Sequence, residues 1–508
     1  MEPTNNKMMS IDGLIEYLRR PVDASSIVFF RFSFGFVLAS WAWNYLSTGR
    51  VRKLYIEPKF HFPYSGFEWV VPLSGTMMYA VFGALLALAL LIAAGLFYRV
   101  ATLLFALGFT YVFLLERTNY QNHYYLVCLI SWVMVVLPCN RLVAGDVWRG
   151  GVSEQWWVPR WALWGLAFHI AIPYFYGGIA KFTPDWLLGQ PMGIYLETKR
   201  DFPIVGPLLG ASWAGVVFSY GGLIFDLTIV PLLIWKPTRL LAYFAAVAFH
   251  LSNAVLFSIH IFPWFMILAT TLFFSPDWVR RVLASGRQVA SDWSNPSTGS
   301  IKERTLETYL IYFFVAYCIF HLVWPLRCQL LREETSWTER GHLFSWRMML
   351  RVKEVGIGFA IRNPGTGEVK NVNHKEYLCD EQAEKFGRDP KNIVSFAEFL
   401  SKTNPFGSIG KPEVYVFAAA SLNGRKPQLM IDPNIDLANL TEEQKKTGNW
   451  IMPLEQPLRW PAFKLPPSQW REYLEIPEIR FMKPRNSNSS QSSHRNDFDS
   501  RNLTAGVA

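Results

Sequence analysis

Lys181 closes a long apolar run, and the chemistry it can do depends on where its ammonium group lies. No residue from Trp161 to Ala180 is charged, apart from His169 when it is protonated. An ammonium in this position either extends to the membrane surface or stays desolvated, and desolvation makes the loss of its proton easier. The first outcome makes the lysine an anchor of a membrane scaffold. The second makes it a base that works near neutral pH in an enzyme.

Polar side chains inside other apolar runs are further candidates, because such residues are costly in a membrane and tend to be functional. His123 follows Asn122 at the mouth of a run, where a neutral imidazole could accept a proton or orient a polar ligand. The alternative is an interfacial belt of aromatic and amide side chains. Asp226 is a lone carboxylate within a later run. It could hold Lys181 or a histidine, or it could be neutral and bonded to the backbone.

A third group of polar residues lies near the end of another run. His250 and Asn253 are three positions apart and share one helix face, and His260 follows them. They could line a ligand pocket, or they could form the interhelical hydrogen bonds that membrane bundles use. The chain has no HExxH, P-loop, GxSxG or Cys/His metal pattern, so we expect no metal. Chemistry would then depend on a base, neutral hydrogen-bond donors and a lipophilic cofactor.

The segments that must position these residues are uncharged runs too long for a soluble core. Of 508 residues, 51% are hydrophobic and 17% are charged. Runs of this length match bilayer spans, so we predict a polytopic α-helical membrane domain in contact with the lipid bilayer. It has about nine spans, near residues 26–46, 75–97, 99–115, 122–138, 161–180, 212–235, 239–259, 261–275 and 308–327.

The net charge of +10 indicates a membrane topology and not nucleic-acid binding. The basic residues cluster beside the apolar runs, and no zinc-finger or RNA-binding signature accompanies them. Their distribution among the loops favours a cytoplasmic N-terminus. An odd number of spans then places everything after Arg327 on the outer side, with His123, Lys181 and His260 near the outer half of the bilayer.

Four regions are expected along the chain. They are an amphipathic entry segment (1–24), the membrane domain (25–327), an extracytoplasmic, mainly β domain (328–482) and a disordered tail (483–508). Patterns typical of strands occur at 355–361, 367–372, 413–419 and 425–433, and a helical pattern at 393–401. Cys328 and Cys379 both fall on the outer side and could form a disulfide.

Several motifs, in order along the chain, carry a resemblance to a known family. They are Asn122-His123-Tyr124, Tyr174-Phe-Tyr-Gly-Gly-Ile-Ala-Lys181-Phe-Thr-Pro-Asp185-Trp186 and Phe249-His250-Leu-Ser-Asn253, followed by Gly341-His342-Leu-Phe-Ser-Trp346-Arg-Met-Met349 and Asn449-Trp450-Ile-Met-Pro453. Over roughly residues 20–460, the chain resembles the vitamin K-dependent gamma-glutamyl carboxylase family, within the wider group of HTTM-domain membrane proteins.

The resemblance implies a reaction that uses reduced vitamin K (the hydroquinone), O2, CO2 and a glutamate-containing peptide or protein. A base deprotonates the hydroquinone, which reacts with O2 to give a strongly basic intermediate. That intermediate removes a γ-proton from glutamate, and CO2 traps the carbanion, so the products are γ-carboxyglutamate and the quinone epoxide. By motif position Lys181 is the base, and His123 donates a hydrogen bond. The candidates for lining the quinone or glutamate pocket are Asn122, Tyr176, His250, Asn253, His260 and Asp226.

Departures from the family leave three hypotheses. The animal enzymes carry a second lysine directly before the catalytic one, where this chain has Ala180, and they have a longer luminal portion. We therefore do not expect a propeptide to be recognised in the animal manner. The hypotheses are the full carboxylase reaction, quinol epoxidation without carboxylation, and a non-catalytic HTTM protein that binds a quinone or lipid. All three predict an integral protein of a bacterial inner membrane or an ER-type membrane.

Overall fold

The first half of the chain is a bundle of helices. The computed structural model describes residues 11–257, 261–283, 301–331, 333–407, 410–459 and 461–474. The principal helices are α1 (Ile11–Arg19), α2 (Ser25–Ser47), α3 (Gly75–Ala94), α4 (Tyr98–Leu114), α5 (Asn122–Val136), α6 (Arg160–Ala180), α7 (Ala214–Ile234), α8 (Arg239–Phe257), α9 (Phe262–Ala269) and α10 (Ile301–Val323). Shorter helices lie in the connections, at Arg50–Tyr55, Gly145–Trp148, Pro184–Leu187, Met192–Glu197, Gly206–Leu209 and Trp278–Leu283.

Among the residues that the structure describes, six helical segments are long and apolar enough to cross a membrane. They are Ser25–Ser47, Gly75–Ala94, Arg160–Ala180, Ala214–Ile234, Arg239–Phe257 and Thr305–Leu330. Three shorter apolar helical segments are Tyr98–Leu114, Asn122–Val136 and Phe262–Phe273. Every predicted span is thus helical where the structure describes it, which confirms a helical membrane domain. The number of helices that cross the bilayer stays a prediction.

Burial separates the central helices from the peripheral ones. The apolar stretches of α2 and α6 are 72% buried, whereas those of α8 and of Thr305–Leu330 are 17% buried. Because α7, at 28%, is also largely uncovered, we place α7, α8 and α10 against lipid and α2 and α6 in the interior. Lys181 directly follows α6, so it comes from the best-buried part of the bundle.

A four-stranded antiparallel sheet follows the bundle, and residues 353–451, which carry it, are here named the sheet domain. Its strands are β1 (Lys353–Arg362), β2 (Val369–Val372), β3 (Glu413–Leu422) and β4 (Gln428–Leu429), in the order β2-β1-β3-β4. β1 and β3 pair along their whole lengths, from Lys353 opposite Leu422 to Arg362 opposite Glu413. Helix α11 (Pro390–Thr403) packs on the sheet, with Phe396 against Phe359. Short helices lie at Thr335–Thr338, Asp380–Lys385 and Glu442–Thr447.

Most of the predicted elements in this region are confirmed, and one is largely wrong. Strands occupy the segments predicted at 355–361, 367–372 and 413–419, and α11 covers 393–401. The strand predicted within 425–433 shrinks to Gln428–Leu429, because Asn423 and Gly424 turn the chain with positive φ values of 52° and 77°. Beyond it, Ile431 makes only an isolated bridge to Ile451.

The sheet domain is docked on three loops of the membrane domain. Phe62, from the loop after α2, lies in the sheet-domain core and stacks on Phe386. Arg117, from the loop after α4, donates to Asn392 with an Nε–Oδ1 distance of 2.8 Å. The loop after α6 contacts the sheet domain through Asp185. Since alternate connections of a spanning bundle lie on the same side, these contacts place the sheet domain and Lys181 on one side of it.

Candidate functional site

Lys181 is buried and ion-paired. Its Nζ donates to Asp226 Oδ2 at 2.5 Å and to the carbonyl oxygen of Gly177 at 3.1 Å. Lys181 is 6% exposed and Asp226 is 5% exposed. The side chain therefore turns into the bundle and does not extend to the membrane surface as an anchoring lysine would. Of the alternatives left open for Asp226, the geometry shows the one in which it holds Lys181.

Two consecutive glycines let α6 and α7 approach closely enough to form this pair. A Cβ at Gly177 would lie 3.0 Å from Asp226 Oδ2 and 2.9 Å from Met348 Cε. A Cβ at Gly178 would lie 2.6 Å from Leu227 Cδ2. A side chain at either position would have to displace Met348, Asp226 or Leu227, so the glycines allow the close approach in which the ammonium and the carboxylate meet.

Trp186 forms a further wall of the site. It belongs to the short helix Pro184–Leu187, which begins where Thr183 Oγ1 accepts from the Trp186 backbone N–H at 3.4 Å. The indole Nε1 donates to the carbonyl oxygen of Ser219 on α7 at 2.8 Å, which fixes the ring. Lys181 Nζ lies 5.1 Å from the ring centroid, within the range of a cation–π contact.

His250 lies in the same interior, one helix further on. Its Nε2 is 2.6 Å from the hydroxyl of Tyr174, which precedes Lys181 by two turns on α6. His250 is 2% exposed, and among the described residues its Nδ1 has no hydrogen-bond partner. A buried polar atom of this kind is uncommon and calls for an explanation. The predicted pair with Asn253 shares one helix face, with Asn253 half-buried.

Phe262 connects His250 to His123. Its ring stacks on the His123 imidazole at a centroid distance of 5.2 Å and meets the His250 ring edge-on at 6.2 Å. Asn122, beside His123, accepts from the Tyr120 hydroxyl at 3.0 Å and donates to the carbonyl oxygen of Arg347 at 3.3 Å. His250 and His123, which is next to Asn122, are thus linked through Phe262, and Tyr174 connects His250 to α6, which Lys181 directly follows. Together with the Lys181–Asp226 pair, these residues are here named the cluster.

Residues 339–351 cover this cluster and are here named the covering segment. Several of its residues have positive φ values, which L-residues rarely adopt: Glu339 (59°), Phe344 (61°), Trp346 (56°) and Met349 (59°). Each such conformation costs about 1–3 kcal/mol, and strain of this size persists where the surrounding contacts determine the backbone. The Phe344 backbone N–H donates to the Tyr120 hydroxyl at 2.8 Å, and Trp346 packs on Tyr125. Met348 reaches Gly177, beside Asp226.

Titratable groups are concentrated at the start of the covering segment. Glu339 pairs with Arg351 at 2.8 Å and with Lys353 at 3.8 Å. Burial raises the pKa of Glu339, and burial lowers the pKa of Lys353 to about 8. Burial, together with the charges of Arg351, Arg347 and Lys353, also lowers the pKa of His342 well below its ordinary value. Glu339, His342 and Arg351 line a cavity of about 220 Å³ that extends to Arg117 and Asn122.

Not all of the predicted site residues belong to the cluster. Tyr176 faces the opposite side of α6 and donates its hydroxyl hydrogen to the carbonyl oxygen of Leu322 on α10. On that side His169 Nε2 lies 3.0 Å from the Tyr317 hydroxyl, in a second set of polar contacts between helices. His260 lies outside the described residues, so its predicted place in the site stays a prediction. Tyr174, Trp186 and Met348 belong to the site although none was a candidate.

The predicted disulfide is absent from the structure, in which Cys328 and Cys379 are both free thiols. Cys328 is buried beneath Gly341, and its Sγ donates to the carbonyl oxygen of Pro325. Cys379 precedes the helix Asp380–Lys385, which is held to the loop after α2 by Gln382 and the carbonyl oxygen of Phe60. The two cysteines therefore pack against different parts of the protein, and their common side of the membrane was not sufficient evidence for a bond.

The chain is therefore a polytopic membrane protein with an internal site. The site is a buried lysine–carboxylate pair inside a bundle with lipid-facing helices, and the sheet domain closes the bundle from one side. The HTTM domain family model matches residues 19–278, and the family model described as vitamin K-dependent gamma-carboxylase, lumenal domain, matches residues 306–457. The chain belongs to the HTTM-domain family, and the two matches together make it a member of the vitamin K-dependent gamma-carboxylase family. This confirms the resemblance carried by the motifs. No solved structure matches the chain.

Proposed function

We propose that this protein is an integral-membrane gamma-glutamyl carboxylase that couples oxygenation of vitamin K hydroquinone to carboxylation of a peptide glutamate. The observation that carries the proposal is the position of Lys181. It is buried in the region that matches the HTTM domain, directly beneath the covering segment of the region that matches the lumenal domain. A lysine shielded from water by both regions suits chemistry that water would quench.

The residues around His250 fit a hydroquinone. The ring of such a ligand needs flat apolar surfaces, which Phe262 and the stacked pair Phe225 and Phe249 supply. Its hydroxyls need hydrogen-bond partners inside the bundle, and His250 Nδ1 is a buried polar atom without one among the described residues. The lipid-facing positions of α7 and α8 suit a ligand that arrives from the bilayer. When bound, the hydroquinone supplies the electrons for the reduction of O2.

Lys181 acts as the base after it has lost its own proton. As an ammonium paired with Asp226 it cannot accept one. Transfer of the Nζ proton to Asp226 Oδ2 across 2.5 Å gives a neutral amine and a neutral carboxylic acid, with no change of net charge. Two desolvated charges are poorly stabilised in a low-dielectric site, so the resting ion pair can convert to the neutral pair when the proton is transferred. Nζ can then accept another proton at the site, while Asp226 keeps the proton that it received from Nζ.

His123 and Asn122 form the other end of the site. Stacking on Phe262 fixes the plane of the His123 imidazole, and Asn122 ties the start of α5 to the covering segment through the Arg347 carbonyl. We assign His123 the role of a hydrogen-bond donor to the reacting oxygen atoms, and Asn122 the role of orienting it. The glutamate substrate then enters between α5 and the covering segment, from the side of the sheet domain.

The basic residues beside the apolar runs support an orientation with the N-terminus in the cytoplasm. The sheet domain is then extracytoplasmic, since it docks on the loops that follow α2, α4 and α6. A peptide substrate would meet the site outside the cytoplasm, and the quinone would reach it from the bilayer.

The test is an assay of the purified full chain in nanodiscs with reduced vitamin K, O2, labelled CO2 and a glutamate-containing peptide. We expect both quinone epoxide and label in the peptide, and we expect Lys181→Ala to abolish both. The matched control is Lys199→Ala, because Lys199 lies on the loop after α6 but packs over Phe202, outside the site. Epoxide without label would establish the quinol epoxidase instead. Folded protein that forms neither product, or a Lys181→Ala variant as active as the Lys199→Ala control, would contradict the enzyme assignment.

A further inference from the structure

One side-chain cluster of the sheet domain touches both chain segments that enclose the Lys181–Asp226 pair. Arg425, in the turn after β3, makes a bidentate ion pair with Asp185, at 2.6 Å from Nη1 to Oδ2 and 2.7 Å from Nη2 to Oδ1. Asn423, in the same turn, donates from Nδ2 to Asp185 Oδ2 at 2.8 Å. Paired planar groups of this kind fix both distance and orientation. The turn is thereby tied to the residue four positions after Lys181.

The same asparagine also holds the covering segment. Its Nδ2 lies 3.3 Å from the carbonyl oxygen of Leu350, and its Oδ1 accepts from the backbone N–H of Val352 at 2.9 Å. Asn423 is 1% exposed, and its φ of 52° aims the side chain into this position. One residue of the turn thus bonds to both the loop after α6 and the end of the covering segment.

Each of the two segments bonded to Asn423 leads to a side chain that lies next to the ion pair. From Asp185, the next residue is Trp186, whose ring lies 5.1 Å from Lys181 Nζ. From Leu350, two residues back, Met348 reaches Gly177, beside Asp226 Oδ2. A displacement of the turn would therefore move two walls of the site together: Trp186, next to the ammonium, and Met348, next to the carboxylate.

We propose that Asp185, Asn423 and Arg425 form a positioning cluster through which the sheet domain controls the access of solvent and substrate to Lys181. While the cluster is intact, Trp186 and Met348 keep the ion pair closed. When the turn is displaced, both walls loosen and Lys181 becomes accessible. This inference deepens the proposed function, because Lys181 is its base, but the cluster can be tested without turnover.

The test is the rate at which N-hydroxysuccinimidyl acetate acetylates Lys181 in the full chain in nanodiscs, measured by peptide mass spectrometry over a series of pH values. We expect Arg425→Gln to raise this rate on the order of tenfold or more, because labelling of a buried amine follows the population of the open site. The matched control is Arg362→Gln, which breaks another arginine–carboxylate pair of the sheet domain, with Glu413 at 2.8 Å. Lys199 in the same samples reports general loosening.

Two further variants keep the result interpretable. Asn423→Gly removes the amide bonds while glycine tolerates the positive φ, so the turn keeps its backbone, and we expect faster acetylation of Lys181. Asp185→Asn combined with Arg425→Gln should raise the rate by less than the product of the two single effects, because both substitutions break the same ion pair. If Lys181 is acetylated in Arg425→Gln and Asn423→Gly as slowly as in Arg362→Gln, or if Lys199 accelerates in parallel, the proposal is overturned. Absence of carboxylation in the wild-type chain would contradict the proposed function and leave this result valid.

Discussion

Because Lys181 and Asp226 form a buried ion pair, we expect substitutions of the two residues to change the free energy of unfolding in a strongly non-additive way. Asp226→Asn keeps the shape of the side chain and removes its charge, which leaves the ammonium of Lys181 buried and uncompensated. Removing one partner of a buried pair costs about 3–5 kcal/mol. The value for this pair should lie within that range, because both groups are at least nine-tenths buried and their polar atoms are 2.5 Å apart.

Lys181→Met and Asp226→Leu should each cost a similar amount, since each leaves one member of the buried pair without its partner. The double variant Lys181→Met with Asp226→Leu removes both charges, and such replacements are often neutral or stabilising. We therefore expect the double variant to lie within about 1 kcal/mol of the wild type, although the single costs sum to about 6–10 kcal/mol. The control is Asp201→Asn, at an exposed position, where we expect a change of less than about 0.5 kcal/mol.

The measurement is unfolding of the purified variants in mild detergent, by denaturant titration followed by circular dichroism. A cost below about 1 kcal/mol for Asp226→Asn, or additive costs in the double variant, would refute the pair as a buried ion pair. The assignment of Asp226 as the proton acceptor of Lys181 would then fail as well.

Three other features make separate predictions. Gly177→Ala should destabilise the protein by about 1–3 kcal/mol and lower epoxide formation, because its Cβ would meet Met348 and Asp226. The control is Gly221→Ala, whose Cβ would have no atom within 4 Å and which should be neutral or stabilising in the same unfolding assay. His342 is held neutral in the folded protein, so the unfolded chain binds more protons below about pH 6.5 and stability falls as the pH drops. His342→Gln should lessen that fall between about pH 7 and 5, and an equal fall in both proteins would contradict it. Denatured, unreduced protein should take up five alkyl groups by mass spectrometry, one for each free cysteine, and three would instead indicate a disulfide.

The membrane domain was predictable because bilayer spans need long uncharged runs, and the chain has them. Hydropathy also placed Lys181 at the end of a span. It could not show whether Asp226 holds Lys181, holds a histidine or is neutral and bonded to the backbone, because that depends on how α6 and α7 pack. The closeness of the two helices comes from Gly177 and Gly178, whose effect depends on what they face.

Helix geometry explains why Tyr174, and not the predicted Tyr176, lies on the same side of α6 as Lys181. On an α-helix, residues seven positions apart lie on nearly the same face, whereas residues five apart are turned well away from each other. Tyr174 therefore shares the face of Lys181, and Tyr176 points to α10. This periodicity is visible in the sequence and would have identified Tyr174, the hydrogen-bond partner of His250.

The covering segment and the turn at Asn423 show two different limits of prediction from the sequence. Positive φ values at Phe344 and Trp346 have no sequence signal, because bulky residues avoid that region and tertiary contacts impose it here. Asn423-Gly424 is, by contrast, a strong turn signal, and it lies between the strands predicted at 413–419 and 425–433. The role of Arg425 depends on its contact with Asp185, 240 residues away, which no local pattern shows.

The central claim, that Lys181 works as a base and does not serve only as half of an ion pair, is tested most directly by Lys181→Arg. Arginine keeps the positive charge and can pair with Asp226, but its guanidinium does not lose a proton in proteins. We predict that the variant stays folded, with stability well above that of Lys181→Met, and that its rate of epoxide formation falls by about 10²–10⁴-fold. Epoxide formation at the wild-type rate by a folded Lys181→Arg variant would contradict the account.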